Sequence, residues 1–196
     1  GQFVVDKIDK KNKAQNNYAY QIGIKHFDLF HRKLSNQSLF IHCEFNFIAP
    51  YTYSWTESKQ AFTHYNQPIA HPTGTGLKEV LGTLRYQYKD ISLLFKGFYT
   101  INSIDTLNSN FGSDIFKPNE ILPGISSNTS NKPGKGIKNE LLHLTSELAF
   151  LVNPSTNLQV FIGINYRKNI NNLYKNENLY FSFGIRTNLN NYYYDF

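Results

Sequence analysis

The densest group of side chains able to do chemistry lies in HYNQPIAHP, residues 64–72. It places His64, Tyr65, Asn66, Gln67 and His71 within eight positions, with Pro68 and Pro72 among them. Two imidazoles supply half of a zinc site, but no third Cys, His or acidic ligand follows at a usual spacing. No metal and no cofactor are therefore expected. The expectation is a proline-stiffened loop tied to itself by its own polar groups, with those five residues as candidate ligand contacts. Nucleophilic catalysis finds no footing either: Ser, His and acidic residues occur, but no pattern groups them, and no Gly-rich phosphate loop is present. A non-enzymatic protein is expected.

Two further sets of charges stand out. Glu44, Arg85, Lys96, Glu147 and Arg186 interrupt otherwise apolar segments. Such residues either line a solute path or form an ion-paired scaffold, and the scaffold is the more common use. The lysines gather elsewhere: Lys7, Lys10, Lys11 and Lys13; Lys117, Lys132, Lys135 and Lys138; Lys168 and Lys175. With a net charge of +6, a basic rim would attract lipopolysaccharide or acidic surface polysaccharide, and Lys117 and Lys135 join the candidate ligand contacts. No nucleic-acid-binding motif accompanies the charge.

These side chains need strands to hold them. The 196 residues contain 14 Tyr and 16 Phe, and aromatics make up 16%, a composition that favours β-structure. Seven segments alternate in polarity. Tyr18, Tyr20, Ile22 and Ile24 share one parity; so do Leu39, Ile41, Cys43, Phe45 and Phe47. Val80 to Tyr88, Ile91 to Tyr99, Leu142 to Val152, Leu158 to Tyr166 and Phe181 to Leu189 repeat the pattern. Residues 1–8 read as the tail of an eighth strand.

A two-residue turn at Lys89-Asp90 pairs Tyr88 with Ile91, Tyr86 with Leu93, Leu84 with Phe95 and Gly82 with Gly97, so apolar meets apolar throughout. An odd loop such as 154–156 sets Phe150 against Val160, Leu148 against Ile162 and His143 against Arg167. Short links are expected at 35–37, 89–90 and 153–156, and long ones at 7–16, 55–77, 101–138 and 168–176. That alternation, strands of about ten residues and Tyr or Trp at strand ends (Tyr51, Tyr53, Trp55, Tyr86, Tyr88, Tyr166) favour an outer-membrane barrel over a one-faced sandwich. The mean hydropathy of -0.45 suits a barrel with polar loops and interior.

The expected fold is all-β: an antiparallel up-and-down transmembrane β-barrel. Because the chain opens in mid-strand and contains no Met, residues 1–196 are expected to be the carboxy-terminal part of one larger barrel domain, contributing about eight strands. Its ending, Tyr192, Tyr193, Tyr194, Asp195 and Phe196, resembles the terminal strand by which such barrels are recognised for assembly. A mobile loop is expected at 126–136, rich in Asn, Ser, Pro and Gly.

The strings AFTHYNQPIAHPTGTGLKEVLG, SNFGSDIFK and FSFGIRTNLNNYYYDF resemble the carboxy-terminal region of the RemB family of gliding-motility proteins of Bacteroidetes, related in turn to capsule-assembly Wzi barrels. The resemblance runs from about residue 39 to 196. It implies location in the cell outer membrane and a role in gliding motility; the alternative it implies is Wzi-like binding and assembly of capsular polysaccharide. Implied partners are outer-membrane lipid, lipopolysaccharide, surface polysaccharide and mobile adhesin proteins. It implies no catalytic residue.

Overall fold

The computed structural model describes residues 1–8, 16–29, 36–55, 57, 60–65, 67–106, 109–118, 126–127, 132–134 and 136–187. The aromatic ending therefore lies outside the described residues, as do Asn66, Lys135 and most of the segment 126–136.

Among the described residues every regular element is a strand: β1 (Gln2–Lys7), β2 (Asn17–His26), β3 (Gln37–Ile48), β4 (Thr63–His64), β5 (Gln67–Pro68), β6 (Leu77–Tyr88), β7 (Ile91–Ile104), β8 (Ser109–Asn110), β9 (Ser126–Ser127), β10 (Ile137–Asn153), β11 (Leu158–Asn171) and β12 (Lys175–Arg186). Eight of them form one antiparallel sheet in the order β1-β2-β3-β6-β7-β10-β11-β12. The sheet is open, since β1 and β12 are its two ends. Two small two-stranded pairings, β4-β5 and β8-β9, sit in the long connections.

The hairpin registers follow from matching apolar residues. Tyr88 opposes Ile91, Leu84 opposes Phe95 and Gly82 opposes Gly97; Phe150 opposes Val160 and His143 opposes Arg167. Lys89 makes the two-residue turn at φ 50. The β10–β11 turn differs from the three-residue loop expected. It takes four residues, 154–157, and a bulge between Leu151 and Asn153 absorbs the extra one. Bulges exist to do this: one unpaired residue restores side-chain parity.

Two connection lengths also depart from expectation. The β2–β3 link covers residues 27–36 rather than a short turn at 35–37, because β2 stops opposite Ile41 while β3 continues along β6 to Gln37. The β11–β12 link shrinks to 172–174. Pairing continues through Lys168 with Glu177 and Ile170 with Lys175, and the Asn171 carboxamide oxygen accepts the backbone N–H groups of Leu173 and Tyr174, both at 2.8 Å. Such an Asx turn lets polar residues close a hairpin that composition alone reads as loop.

The registers sort side chains into cross-strand rows. On one face, Cys43, Gly82, Gly97, Leu144, Tyr166 and Leu179 form a row. Ile41, Leu84, Phe95, Ser146, Ile164 and Phe181 form the next, and Leu39, Tyr86, Leu93, Leu148, Ile162 and Phe183 the one after. This apolar face is open: Ile24 is 70% exposed, Ile162 58% and Phe183 88%. The other face carries Gln21, His42, Glu44, Asn46, Glu79, Thr83, Arg85, Lys96, Thr100, Thr145, Glu147 and Arg186.

The buried apolar cluster is small by comparison. Ala19, Ile48 and Leu77 meet at one end of the polar face, and Tyr53 packs over them. Leu77 is fully enclosed. Leu77→Ala is expected to cost about 2–5 kcal/mol, as buried Leu-to-Ala changes do. Urea unfolding reads this as a lower midpoint; an unmoved midpoint would remove the cluster as the anchor of that end of the sheet.

Candidate functional site

The two long connections, 49–76 and 105–136, leave the same end of the sheet and are hydrogen-bonded to each other. Tyr51 N–H donates to the Gly112 carbonyl at 3.0 Å and Thr75 N–H to the Ser113 carbonyl at 3.0 Å. The Thr75 hydroxyl also donates to Gly112 O, and Tyr51 Oη to Asn110 O, each at 2.5 Å. Gly112 makes this approach possible. Its φ is 70, and a Cβ there would lie 2.6 Å from the Tyr51 nitrogen.

Asp105 shapes the second connection. Its two carboxylate oxygens accept the N–H groups of Phe111 (2.5 Å), Ser113 (3.0 Å) and Asp114 (2.8 Å). Lys117 belongs to the same fold of chain: its ammonium donates to the carbonyls of Thr106 and Ser109. The structure thus gives this candidate ligand contact a scaffolding task.

The first connection is pinned from below by Glu79. Glu79 stands opposite Asn46 on β3 and Thr100 on β7, and both are donors to it: Asn46 Nδ2 to Oε1 at 3.2 Å and Thr100 Oγ1 to Oε2 at 2.8 Å. His71 Nε2 completes the set at 3.1 Å from Oε1. Thr73 N–H points at His71 Nδ1 at 3.3 Å, which makes Nδ1 the acceptor and leaves the proton on Nε2, facing the carboxylate. A buried carboxylate with three donors is satisfied; remove the carboxylate and three donors lose their partner.

The chain of contacts continues along β3. Asn46 Nδ2 also donates to Glu44 Oε1 at 2.9 Å, and His42 Nε2 lies 3.4 Å from Glu44 Oε2. Between this polar row and the overlying loop is a cavity of about 500 Å³ lined by Gln21, Glu44, Tyr53, His71, Glu79 and Phe98, among others. Tyr53 is held by its N–H to the Asp6 carboxylate at 3.2 Å. Burial, and then the Asp6 charge, push its phenol above the usual tyrosine range.

The candidate residues therefore divide. His64 and Gln67 pair across the β4–β5 hairpin, and Tyr65 is at its tip, 89% exposed with φ 47. Phe62, about half exposed, stands at the hairpin base and meets Tyr53 at 5.6 Å between ring centroids; Trp55, earlier in the same connection, is also half exposed. His71 turns the opposite way, into the polar face. Asn66 and Lys135 lie outside the described residues. Among the strand charges, Glu147 and Arg186 do come together, at 2.6 Å, with Gln159 accepting from the same guanidinium and the Phe161 ring 5.2 Å from it. Arg85 sits between Phe40 and Leu94, and Lys96 between Thr83 and Thr145, apart from that pair. Among the described residues no three His, Cys, Asp or Glu side chains converge as a metal site.

Glu79, Thr100 and Asp105 escape a reading of the sequence. Glu79 falls just outside the alternating segment that begins at Val80, and only the register brings Asn46 and Thr100 to it.

What fold and site define is an open, eight-stranded antiparallel meander, apolar on one face, with a laced cap over one end of the other. Compared with protein-family models, curated proteins and solved structures, the chain matches none.

Glu79→Ala should loosen the first connection while leaving the sheet intact. Losing hydrogen bonds to a charged group costs about 1.5–3 kcal/mol, so chymotryptic cleavage at the Tyr65 tip should rise roughly 10–150-fold where it tracks the open population. Unchanged cleavage would show that the loop is held by its other bonds.

Proposed function

We propose that the chain is part of the wall of an outer-membrane β-barrel at a bacterial cell surface, and that the protein serves gliding motility. The apolar face lies against lipid, the polar face lines the interior, and the cap stands outside. The observation that carries the membrane reading is the uncovered apolar face. Adding the row of Ile22, Phe45, Val80, Tyr99 and Leu142 above the three already named, and Tyr88, Ile91, Phe150, Val160 and Ile185 below, gives five rows. Eight residues separate the outermost rows, about 26 Å along a strand and roughly 20 Å along the membrane normal at the usual tilt; the apolar band of such barrels is about 25 Å. The motility role rests on the resemblance of residues 39–196 to the gliding family.

One observation favours capsule handling as a second reading. Tyr65 and Phe62 are exposed beside His64 and Gln67, and exposed rings next to amide and imidazole groups suit the mixed apolar and hydroxyl surface of a saccharide.

Arginine on the lipid face near mid-membrane costs about 2–4 kcal/mol. In the full-length protein, Ile162→Arg should therefore deplete the outer-membrane fraction, whereas Thr83→Arg should be tolerated. Equal depletion by both would contradict the sidedness. A Tyr65→Ala, Phe62→Ala double variant, present in the membrane at the normal level, should reduce colony spreading. If spreading is intact and binding of acidic polysaccharide falls instead, the capsule reading replaces motility.

A further inference from the structure

The apolar face ends abruptly, and it ends in lysines. On the same parity as Val80, Leu144, Tyr166 and Leu179, the row nearest the loops carries Phe47, Lys78, Ile101, Glu140, Ile170 and Lys175, and the uppermost of the five apolar rows ends on β11 and β12 in Lys168 and Glu177. Lys138 lies one step further along β10. These lysines belong to strands, so their positions are fixed by the sheet ladder rather than by a loop.

Two tyrosines hold the belt in order, in the same way twice. Tyr99 Oη donates to Glu140 Oε2 at 2.9 Å, and Lys138 Nζ donates to Glu140 Oε1 at 2.5 Å. Tyr166 Oη donates to Glu177 Oε1 at 2.6 Å, and Lys175 Nζ lies 3.6 Å from Glu177 Oε2. Lys168 stands directly opposite Glu177. Each glutamate is thus engaged by a hydroxyl and an ammonium, and three lysines face two carboxylates. Both flanking lysines remain open to solvent, Lys138 about half and Lys175 more so. The opposite end of the face has no such belt: among its described residues Lys89 is the only lysine, drawn over the Tyr88 ring at 5.4 Å.

We propose that Lys138, Lys168 and Lys175 form a headgroup site for a phosphorylated lipid whose acyl chains lie on the apolar rows of β7, β10, β11 and β12. The inference rests on the membrane reading above. Charge complementarity selects an anionic headgroup, the apolar rows directly beneath select a lipid over a soluble phosphate, and the one-ended belt selects the leaflet on the cap side.

The test uses the full-length protein in phosphatidylcholine vesicles doped with bis-phosphorylated lipid A. Binding is compared among wild type, a Lys138→Gln, Lys168→Gln, Lys175→Gln variant and Lys89→Gln. A surface lysine contributes roughly fivefold to binding of an anionic headgroup, so the triple variant should bind on the order of 100-fold more weakly, with Lys89→Gln unchanged and dephosphorylated lipid A bound weakly by all. Sheet circular dichroism and heat-modifiable gel mobility establish that the variants are folded. Equal binding by wild type and triple variant, or displacement of the lipid by millimolar inorganic phosphate, would overturn the site while leaving the barrel in place. A wild-type protein that never inserts into the vesicles would remove the membrane reading and this site with it.

Discussion

Strand residues point alternately to the two faces of a sheet, and here the alternation sends most of the large aliphatic and ring side chains of the eight-stranded sheet to the same one. Ile22, Ile24, Phe95, Phe150, Ile162, Phe181, Phe183 and Ile185 are all exposed, while the enclosed apolar cluster among the described residues is Ala19, Ile48 and Leu77 with Tyr53 above it. Burying a side chain of this kind is worth about 1.5–3 kcal/mol. Eight left in water forgo on the order of 10–20 kcal/mol, comparable to the entire stability of an ordinary domain. A water-filled surroundings for that face is the costly arrangement, and a lipid one is the economical reading.

The same parity explains why the polar face is ordered without a large core. Polar groups pair there laterally, strand to strand, in the row Asn46, Glu79 and Thr100 and in the pair Glu147 and Arg186. Glu79 then reaches out of the sheet to His71 and fixes the first long connection, and Tyr51, Thr75 and Gly112 join that connection to the second. The cap is therefore built on the sheet through the buried Glu79 carboxylate and through bonds of Ala49, Tyr51, Thr52 and Tyr53 to β1 and β2, and on itself through backbone and hydroxyl donors.

How much of this was legible beforehand depended on range. The eight strands, the Lys89-Asp90 turn and the pairing of Phe150 with Val160 follow from period-two alternation, because a slip of one residue would expose every polar side chain on the wrong face. Where polarity stops alternating, the reading failed. Lys168, Asn169 and Asn171 look like loop, yet they continue β11, since the Asn171 turn and the Glu177 and Lys175 pairings stabilise them there. The bulge at Leu151–Asn153 leaves no mark in composition. Among the candidate residues, Glu147 and Arg186 could be grouped by parity, but their contact spans an intervening strand and required the three-strand register. His71 was legible as a polar loop residue; its direction, into the sheet, was set by Glu79, which sequence reasoning passed over.

The lone cysteine offers the most direct measurement. Cys43 is exposed on the apolar face, opposite Ile24 and Gly82, so a nitroxide attached there reports what that face touches. With the full-length protein reconstituted in bilayers and any other cysteines replaced, power-saturation EPR compares collisions with molecular oxygen, which concentrates in lipid, and with a water-soluble nickel chelate. The account predicts high oxygen and low nickel accessibility at Cys43. Nickel accessibility equal to that of a label at Tyr65, on the exposed cap, would place the apolar face in water and contradict it.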